Sequence, residues 1–347
     1  MLTTLNIPMP DDWHLHLRSG EMLNKVLPYS SLHFARAIIM PNLPSPVLTT
    51  LDANKYRQEI LDNLPKNHYF TPLMTLYMTE NTDPEDVRLG YIRGDVQAVK
   101  LYPAGATTNS DAGVKDLEKI YPVLDVMEQI GMPFLVHGEV VDSDIDIFDR
   151  EAVFIETKLI PIRQRFPNLK IVFEHLTTKE GVDYVLSSNE NTAATITPHH
   201  LVINRNAMFV GGIKPHYYCL PVAKRESHRL ALRQAATSGD ARFFLGTDSA
   251  PHLTNAKESA CGCAGIFNVA NAIAVITQVF EDENALPELE KFLSLNGAGF
   301  YGLAVNDKRM ELKRSKQKQA TPENIKFAKG EVTAFDPMMT VYWEVVS

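Results

Sequence analysis

The sequence predicts an α/β fold, a (β/α)8 TIM-type barrel with a C-terminal appendage. Eight short runs rich in apolar and β-branched residues alternate with stretches of helical periodicity, and such alternation builds parallel sheets. The chain has 347 residues, a length that barrels of this class use for one domain. The alternative, an open doubly wound sheet, calls for a G-x-G-x-x-G turn after the first strand, and none is present there.

The first strand is "WHLHL" (13–17), where alternation sends His14, His16 and Arg18 to one face and Trp13, Leu15 and Leu17 to the other. "ARAIIM" (35–40) is the second. Helical "TLDANKYRQEILDNL" (50–64) leads to "TPLMTLYM" (71–78), the third. "VQAVKLY" (96–102) is followed by helical "DLEKIYPVLDVMEQIG" (116–131). "PFLVH" (133–137) precedes the helix "DREAVFIETKLIPIRQRF" (149–166), and "KIVFEH" (170–175) and "AATIT" (193–197) come next. Helical "KRESHRLALRQAATSG" (224–239) leads to the eighth strand, "RFFLGT" (242–247). A long loop and more helix (265–280, 287–297) follow. From about residue 305 the character changes: "DKRMELKRSKQKQ" is highly charged and expected to be exposed, and "GEVTAFDPMMTVYWEVV" reads as a short strand region. The whole chain, 1–347, is expected to be one domain, with 305–347 as an appendage to it.

Hydrophobic residues make up 45% and charged residues 22%, as in a globular chain. The net charge of −8 argues against nucleic acid and against an anionic membrane surface as partners. Cys219, Cys261 and Cys263 form no disulfide framework and suit a reducing compartment. The opening "MLTTLNIPMPDDW" has neither a basic nor an apolar signal region, and no run approaches the roughly 20 apolar residues of a membrane helix. The expectation is a soluble cytoplasmic protein.

In a barrel of this kind the chemistry sits at the C-terminal ends of the strands. There the sequence places His14 and His16, Lys100 in "AVKLYP", His137 in "FLVHGE", His175 in "FEHLTT" and Asp248 in "FLGTDSAPH". Singly, each has an ordinary explanation: a satisfied core histidine, a helix N-cap, a lysine paired with a carboxylate. Together, at five strand ends, they point to a metal site. Imidazole and carboxylate suit zinc or a similar divalent ion. His14, His16 and Asp248 can hold one ion, and His137 and His175 a second. Two dications close together need an anionic bridge. A protonated Lys100 would be repelled there, with no counter-charge beyond Asp248. An amine of depressed pKa, however, can add CO2 and become an anionic carbamate. "AGATTNSDAG" suits either a lid or an ordinary connecting loop. "CGCAG" lacks partner cysteines for a metal and reads as a tight loop whose small residues let the backbone approach a ligand.

The set "HLHLR", "KLYPAGATTNS", "VHGE", "EHLTT" and "GTDSAPH" resembles the amidohydrolase superfamily, in its shorter single-chain bacterial type, from about residue 10 to 304. "MPNLPSPV", "TITPHHL", "YYCLP" and "KESACGCAG" share the likeness. The resemblance implies a zinc-dependent hydrolase that interconverts N-carbamoyl-L-aspartate and (S)-dihydroorotate in pyrimidine (UMP) biosynthesis. It implies a homodimer acting on this small molecule. It also implies two zinc ions per subunit, His14, His16 and Asp248 on one and His137 and His175 on the other. Carboxylated Lys100 and a hydroxide would bridge them. Arg18, Asn42 and His252 would bind the substrate carboxylate, and backbone groups at Leu220 and Ala264 would touch the ring. Thr107 and Thr108 would belong to a flexible lid, and Asp248 would carry the catalytic proton. The nearest rival is another cyclic amidohydrolase, such as a hydantoinase, whose neutral substrate gives Arg18, Asn42 and His252 no carboxylate. A catalytically dead barrel serving as an assembly partner is the rival from another class, and the intact metal positions argue against it.

Overall fold

The computed structural model describes residues 3–346. After a short strand, β1 (Thr4–Pro8), eight parallel strands pair in sequence order. They are β2 (Asp11–Leu15), β3 (Arg36–Ile39), β4 (Thr71–Tyr77), β5 (Ala98–Leu101), β6 (Phe134–Val136), β7 (Ile171–Phe173), β8 (Thr192–Ile196) and β9 (Phe243–Leu245). The ring nearly closes through a parallel bridge between Leu15 and Ser249. His16 N–H donates to Ser249 O at 3.2 Å, and Asp248 N–H donates to His14 O at 2.8 Å. Barrel closure is therefore made by the same residues that carry the expected ligands.

The expected helices are present, shortened at their ends. Thr50–Asp62 begins with a reciprocal Thr49–Asp52 capping box. Tyr121–Ile130 stops at Gly131, whose φ of 67° satisfies the left-handed C-terminal turn. The segment 149–166 is helical with a π-turn at Ile155–Leu159. Helices at Gly20–His33, Pro84–Ile92 and Lys179–Ser187 complete the alternation. Among the described residues no helix is long and apolar enough to cross a membrane.

β2 corrects the simple alternation expected of it. Its register with β3 shifts between Asp12 and Leu15. Trp13 consequently turns into the barrel interior, while Leu15 and Leu17 pack in the layer between strands and helices. The strand ends at Leu15, so His16 and Arg18 stand on the loop beyond it. Inside, Trp13 stacks on Tyr301 with ring centroids 4.5 Å apart. Gly297 makes this possible, because a Cβ there would lie 2.1 Å from Trp13 Nε1. With Ile38, Leu135, Val172 and Phe244 these rings plug the lower barrel with apolar matter, which leaves the upper end for polar groups.

The tail is more than a charged fringe. It forms β10 (Arg309–Arg314), β11 (Ile325–Phe327), β12 (Gly330–Val332) and β13 (Trp343–Val345). β10 is the middle of an antiparallel sheet between β1 and β13, and β11 and β12 pair with each other. The expected exposure of this charged stretch is corrected at Met310 and Leu312, which are 2% and 0% exposed. Their period-two placement among Arg309, Glu311 and Lys313 turns one face of β10 inward.

Leu312→Ala should therefore cost about 2–5 kcal/mol in urea unfolding, as a core truncation does. Lys316→Ala nearby should change stability by less than about 0.5 kcal/mol. Equal effects would mean that the tail is not packed on the barrel.

Candidate active site and metal centre

Asp12 sets the frame. Its carboxylate accepts from Thr247 N–H at 2.8 Å, Thr247 Oγ1 at 2.6 Å and His14 N–H at 3.2 Å. It thus ties β2 to the turn after β9 and places Asp248 opposite the histidines. Burial pushes its pKa up to about 7 even so.

His14 Nδ1 lies 2.5 Å from Glu174 Oε2, which also accepts from Thr195 Oγ1 at 2.8 Å. With Nδ1–H given to Glu174, the Nε2 lone pair of His14 faces the cleft. His14 Nε2 and His16 Nε2 are 3.3 Å apart, and they lie 3.4 and 3.1 Å from Asp248 Oδ1. Tetrahedral ligands about 2.0–2.1 Å from a zinc ion stand about 3.3–3.4 Å from one another, so the spacing fits a bound ion. Burial pushes His16 down to about 3 and His175 well below its ordinary value, which leaves these two imidazoles neutral. At His14 the Glu174 and Asp248 carboxylates overcome the effect of burial and raise the imidazole above its ordinary value. Burial alone would raise the Asp248 carboxyl, but His14 and His16 hold it well below the usual carboxylate range.

The second cluster lies alongside. The His175 ring is 5.0 Å from the His14 ring and 4.8 Å from the His137 ring. His137 Nε2 is held by Glu139 Oε2 at 2.9 Å. Lys100, on β5 and wholly buried, sits beneath with its Nζ 5.2 Å from the Tyr102 ring centre. Burial brings its ammonium down to about 8, against the pull of Glu174 and Asp248. Glu174 is thus the counter-charge that the sequence reading did not find. Among the described residues, Lys100 Nζ, His175 Nδ1, Glu139 Oε1 and Glu174 Oε1 are buried without a hydrogen-bond partner. An orphaned buried polar atom costs roughly 1–3 kcal/mol; the His175 lone pair is one that a divalent ion would satisfy, whereas an ammonium at Lys100 has no lone pair to offer one.

Backbone strain gathers at the same place. Arg18, His175 and Asp248 have φ of 60°, 40° and 45°, a left-handed conformation costly for non-glycine residues and concentrated at functional sites. Each stands at or just past the end of a strand, where the chain turns sharply to aim its side chain inward.

Arg18 and His252 lie side by side at the rim of the cleft. An Arg18 guanidinium nitrogen approaches His252 Nε2 at 3.1 Å, and that ring nitrogen is also 3.0 Å from Ala264 O. Burial, with Arg18 beside it, pushes His252 down to about 3. Among the described residues, Arg18 has no carboxylate partner. Asn42 is used differently: its Nδ2 donates to Thr108 O at 3.0 Å, while Asn109 Nδ2 donates back to Asn42 O at 3.0 Å. These bonds hold the 105–110 loop down over the cleft. Thr107, Thr108, Leu220 and Ala264 all line it, and the space left is only about 20 Å³, enough for one water.

The structure thus gathers the expected metal-capable residues at one rim, with Arg18 and His252 beside them. Asp12, Glu139, Glu174 and Thr195 are the participants that sequence reading missed. A signal existed for two of them, since Glu174 and Glu139 adjoin ligand-type histidines in "FEH" and "VHGE". Glu174→Gln should weaken divalent metal retention about 10–100-fold, the usual loss when an imidazole's orienting carboxylate is removed. Chelator competition measures this, and unchanged retention would remove Glu174 from that role.

Comparison with known proteins gives a consistent answer. The model of the amidohydrolase family matches residues 11–306. The dihydroorotase of Agrobacterium fabrum is 60% identical over 344 residues, 99% of this chain and 100% of that one. The crystal structure of a Saccharomyces cerevisiae dihydroorotase with 5-fluoroorotic acid superposes with a TM-score of 0.90 at 32% identity, covering 99% of each chain. An L-hydantoinase from Arthrobacter aurescens shares the fold, with a TM-score of 0.79 but 13% identity, over 99% of this chain and 83% of that one. A barrel whose strand ends carry this cluster, and whose length matches dihydroorotases almost residue for residue, belongs to the dihydroorotase branch of the amidohydrolase family.

Proposed function

We propose that this protein is a binuclear zinc dihydroorotase that interconverts N-carbamoyl-L-aspartate and (S)-dihydroorotate on the way to UMP. The observation that carries this reading is the juxtaposition of His14, His16 and Asp248 with a carboxylate-free Arg18–His252 pair in the same cleft. The first group suits a hydrolytic metal centre, and the second suits an anionic cyclic amide. A hydantoinase reading leaves Arg18 without a purpose.

His14, His16 and Asp248 would hold one ion, and His137 and His175 the other. Lys100 would add CO2, forming an N–C bond and releasing a proton, to give a bridging carbamate. When bound, the metal pair supplies Lewis acidity toward the ring carbonyl and a nucleophilic hydroxide at neutral pH. The chain's own groups do the rest. Arg18 offers a planar fork to the substrate carboxylate, joined by His252 and, once the lid moves, by Asn42. Backbone groups at Leu220 and Ala264 face the ring. Thr107 and Thr108 close above it and exclude water. In hydrolysis Asp248 takes the proton of the attacking oxygen and gives it to the ring nitrogen as the C–N bond breaks. Ring closure reverses these steps and consumes one proton overall. The free thiols of Cys219, Cys261 and Cys263 suit a reducing, cytoplasmic compartment, and the chain is proposed to act there as a homodimer.

An ultraviolet assay on dihydroorotate combined with metal analysis tests the reading. Turnover with two zinc ions per chain is expected, and absence of turnover in metal-replete protein would refute it. Asp248 must be ionised for hydrolysis and protonated for synthesis, so the hydrolytic rate should fall in acid and the synthetic rate in alkali. Identical profiles would exclude Asp248 as proton carrier. Arg18→Lys should lower kcat/KM about 10–100-fold with metal content intact, because the fork is lost while the charge stays. Intact-mass analysis of metal-loaded protein should find Lys100 heavier by one CO2. Fully active protein with an unmodified amine there would sink the bridge.

A further inference from the structure

Lys257 lies outside the machinery described above. It ends a short helix, Thr254–Lys257, and is 5% exposed. Among the described residues, no carboxylate pairs with it. Instead its Nζ donates to three backbone carbonyls, Tyr218 O at 3.1 Å, Cys263 O at 2.8 Å and Gly265 O at 2.6 Å. An ammonium has three donors, and all three are used. The carbonyls belong to two separate loops, one after β8 and one after β9. The second is contorted, with φ of 71°, 28° and 150° at Gly262, Cys263 and Gly265. Besides Lys257, the two segments share a hydrogen bond from Gly265 N–H to Tyr218 O at 3.1 Å. Three carbonyl dipoles aimed at one point repel one another, and a cation at their focus turns that repulsion into binding.

The segments so tied carry Leu220, Ala264 and Gly265, all lining the catalytic cleft. A buried cation without a counter-ion is expensive, and a neutral loop contact would have sufficed merely to close the fold. We infer that Lys257 is a positioning residue for ring recognition: its ammonium fixes the backbone of the two loops so that the groups at Leu220 and Ala264 meet the substrate ring in register. This rests on the reading that those backbone groups face the ring of dihydroorotate.

The test uses full-length, metal-loaded parent, Lys257→Met and Lys257→Gln, with metal content and Tm followed alongside. Orotate, which has ring and carboxylate, and succinate, which has carboxylates without a ring, serve as competitive probes. In Lys257→Met the KM for dihydroorotate and the Ki for orotate should rise at least tenfold, while metal content holds and the Ki for succinate moves less than twofold. Lys257→Gln, with fewer donors than the ammonium, should show the same ring-specific loss and carries the comparison if Lys257→Met does not fold. Equal weakening of both probes, no weakening, or a lowered Tm without ring-specific loss would overturn the inference and leave Lys257 a stabilising residue. So would failure of both variants to fold. A well-folded, metal-replete parent that does not act on dihydroorotate would overturn the substrate reading first, and this inference with it.

Discussion

The cleft is shaped by the cost of taking ionisable side chains out of water. Five imidazole and carboxylate groups and one amine crowd the upper barrel, and none of His14, His16, Lys100, His137, His175 and Asp248 is more than 8% exposed. Burial alone would neutralise or expel them. They are retained because a surrounding set of acids and hydroxyls satisfies the atoms that point away from the cleft. Glu174 serves His14 and is itself held by the Thr195 hydroxyl, Glu139 serves His137, and Asp12 serves the backbone of His14 and Thr247. What stays unsatisfied points to what should bind. Among the described residues, Lys100 Nζ and His175 Nδ1 have no hydrogen-bond partner.

The same constraint governs the backbone. Glu151, wholly buried, accepts from the N–H and hydroxyl groups of Thr177 and Thr178. It thereby braces the turn whose first residue, His175, has a positive φ. At the other side of the cleft, Arg18 and His252 stand within hydrogen-bond distance of each other, with no carboxylate beside Arg18 among the described residues. Asn42 links this subsite to the lid through Thr108.

Much of this was legible in the sequence. Apolar runs of four to eight residues placed all eight barrel strands, and the ligand types at their ends placed the metal cluster, because periodicity and side-chain chemistry are properties of short windows. β2 shows the limit of that reasoning. His14 and His16 do converge, but a register shift, not alternation, sends Trp13 inward. In β10 the abundance of charge hid the two inward residues, Met310 and Leu312.

The sequence by itself determined the order of strands and helices, the identity of the metal-capable side chains and the run of small residues around Ala264. Only the tertiary structure decided which distant groups meet. Glu174 reaches His14 across 160 residues, Asp12 reaches Thr247 across 235, and Thr4 pairs with Lys313. Closing the barrel brings β2 beside β9 and so joins Asp12 to Thr247, Glu174 reaches His14 across the barrel from the end of β7, and Thr4 meets Lys313 in the separate sheet of β1, β10 and β13. A window of sequence carries the partners' chemistry but not the closure that sets their separation, so a buried carboxylate beside a ligand histidine becomes readable only once the ring is formed.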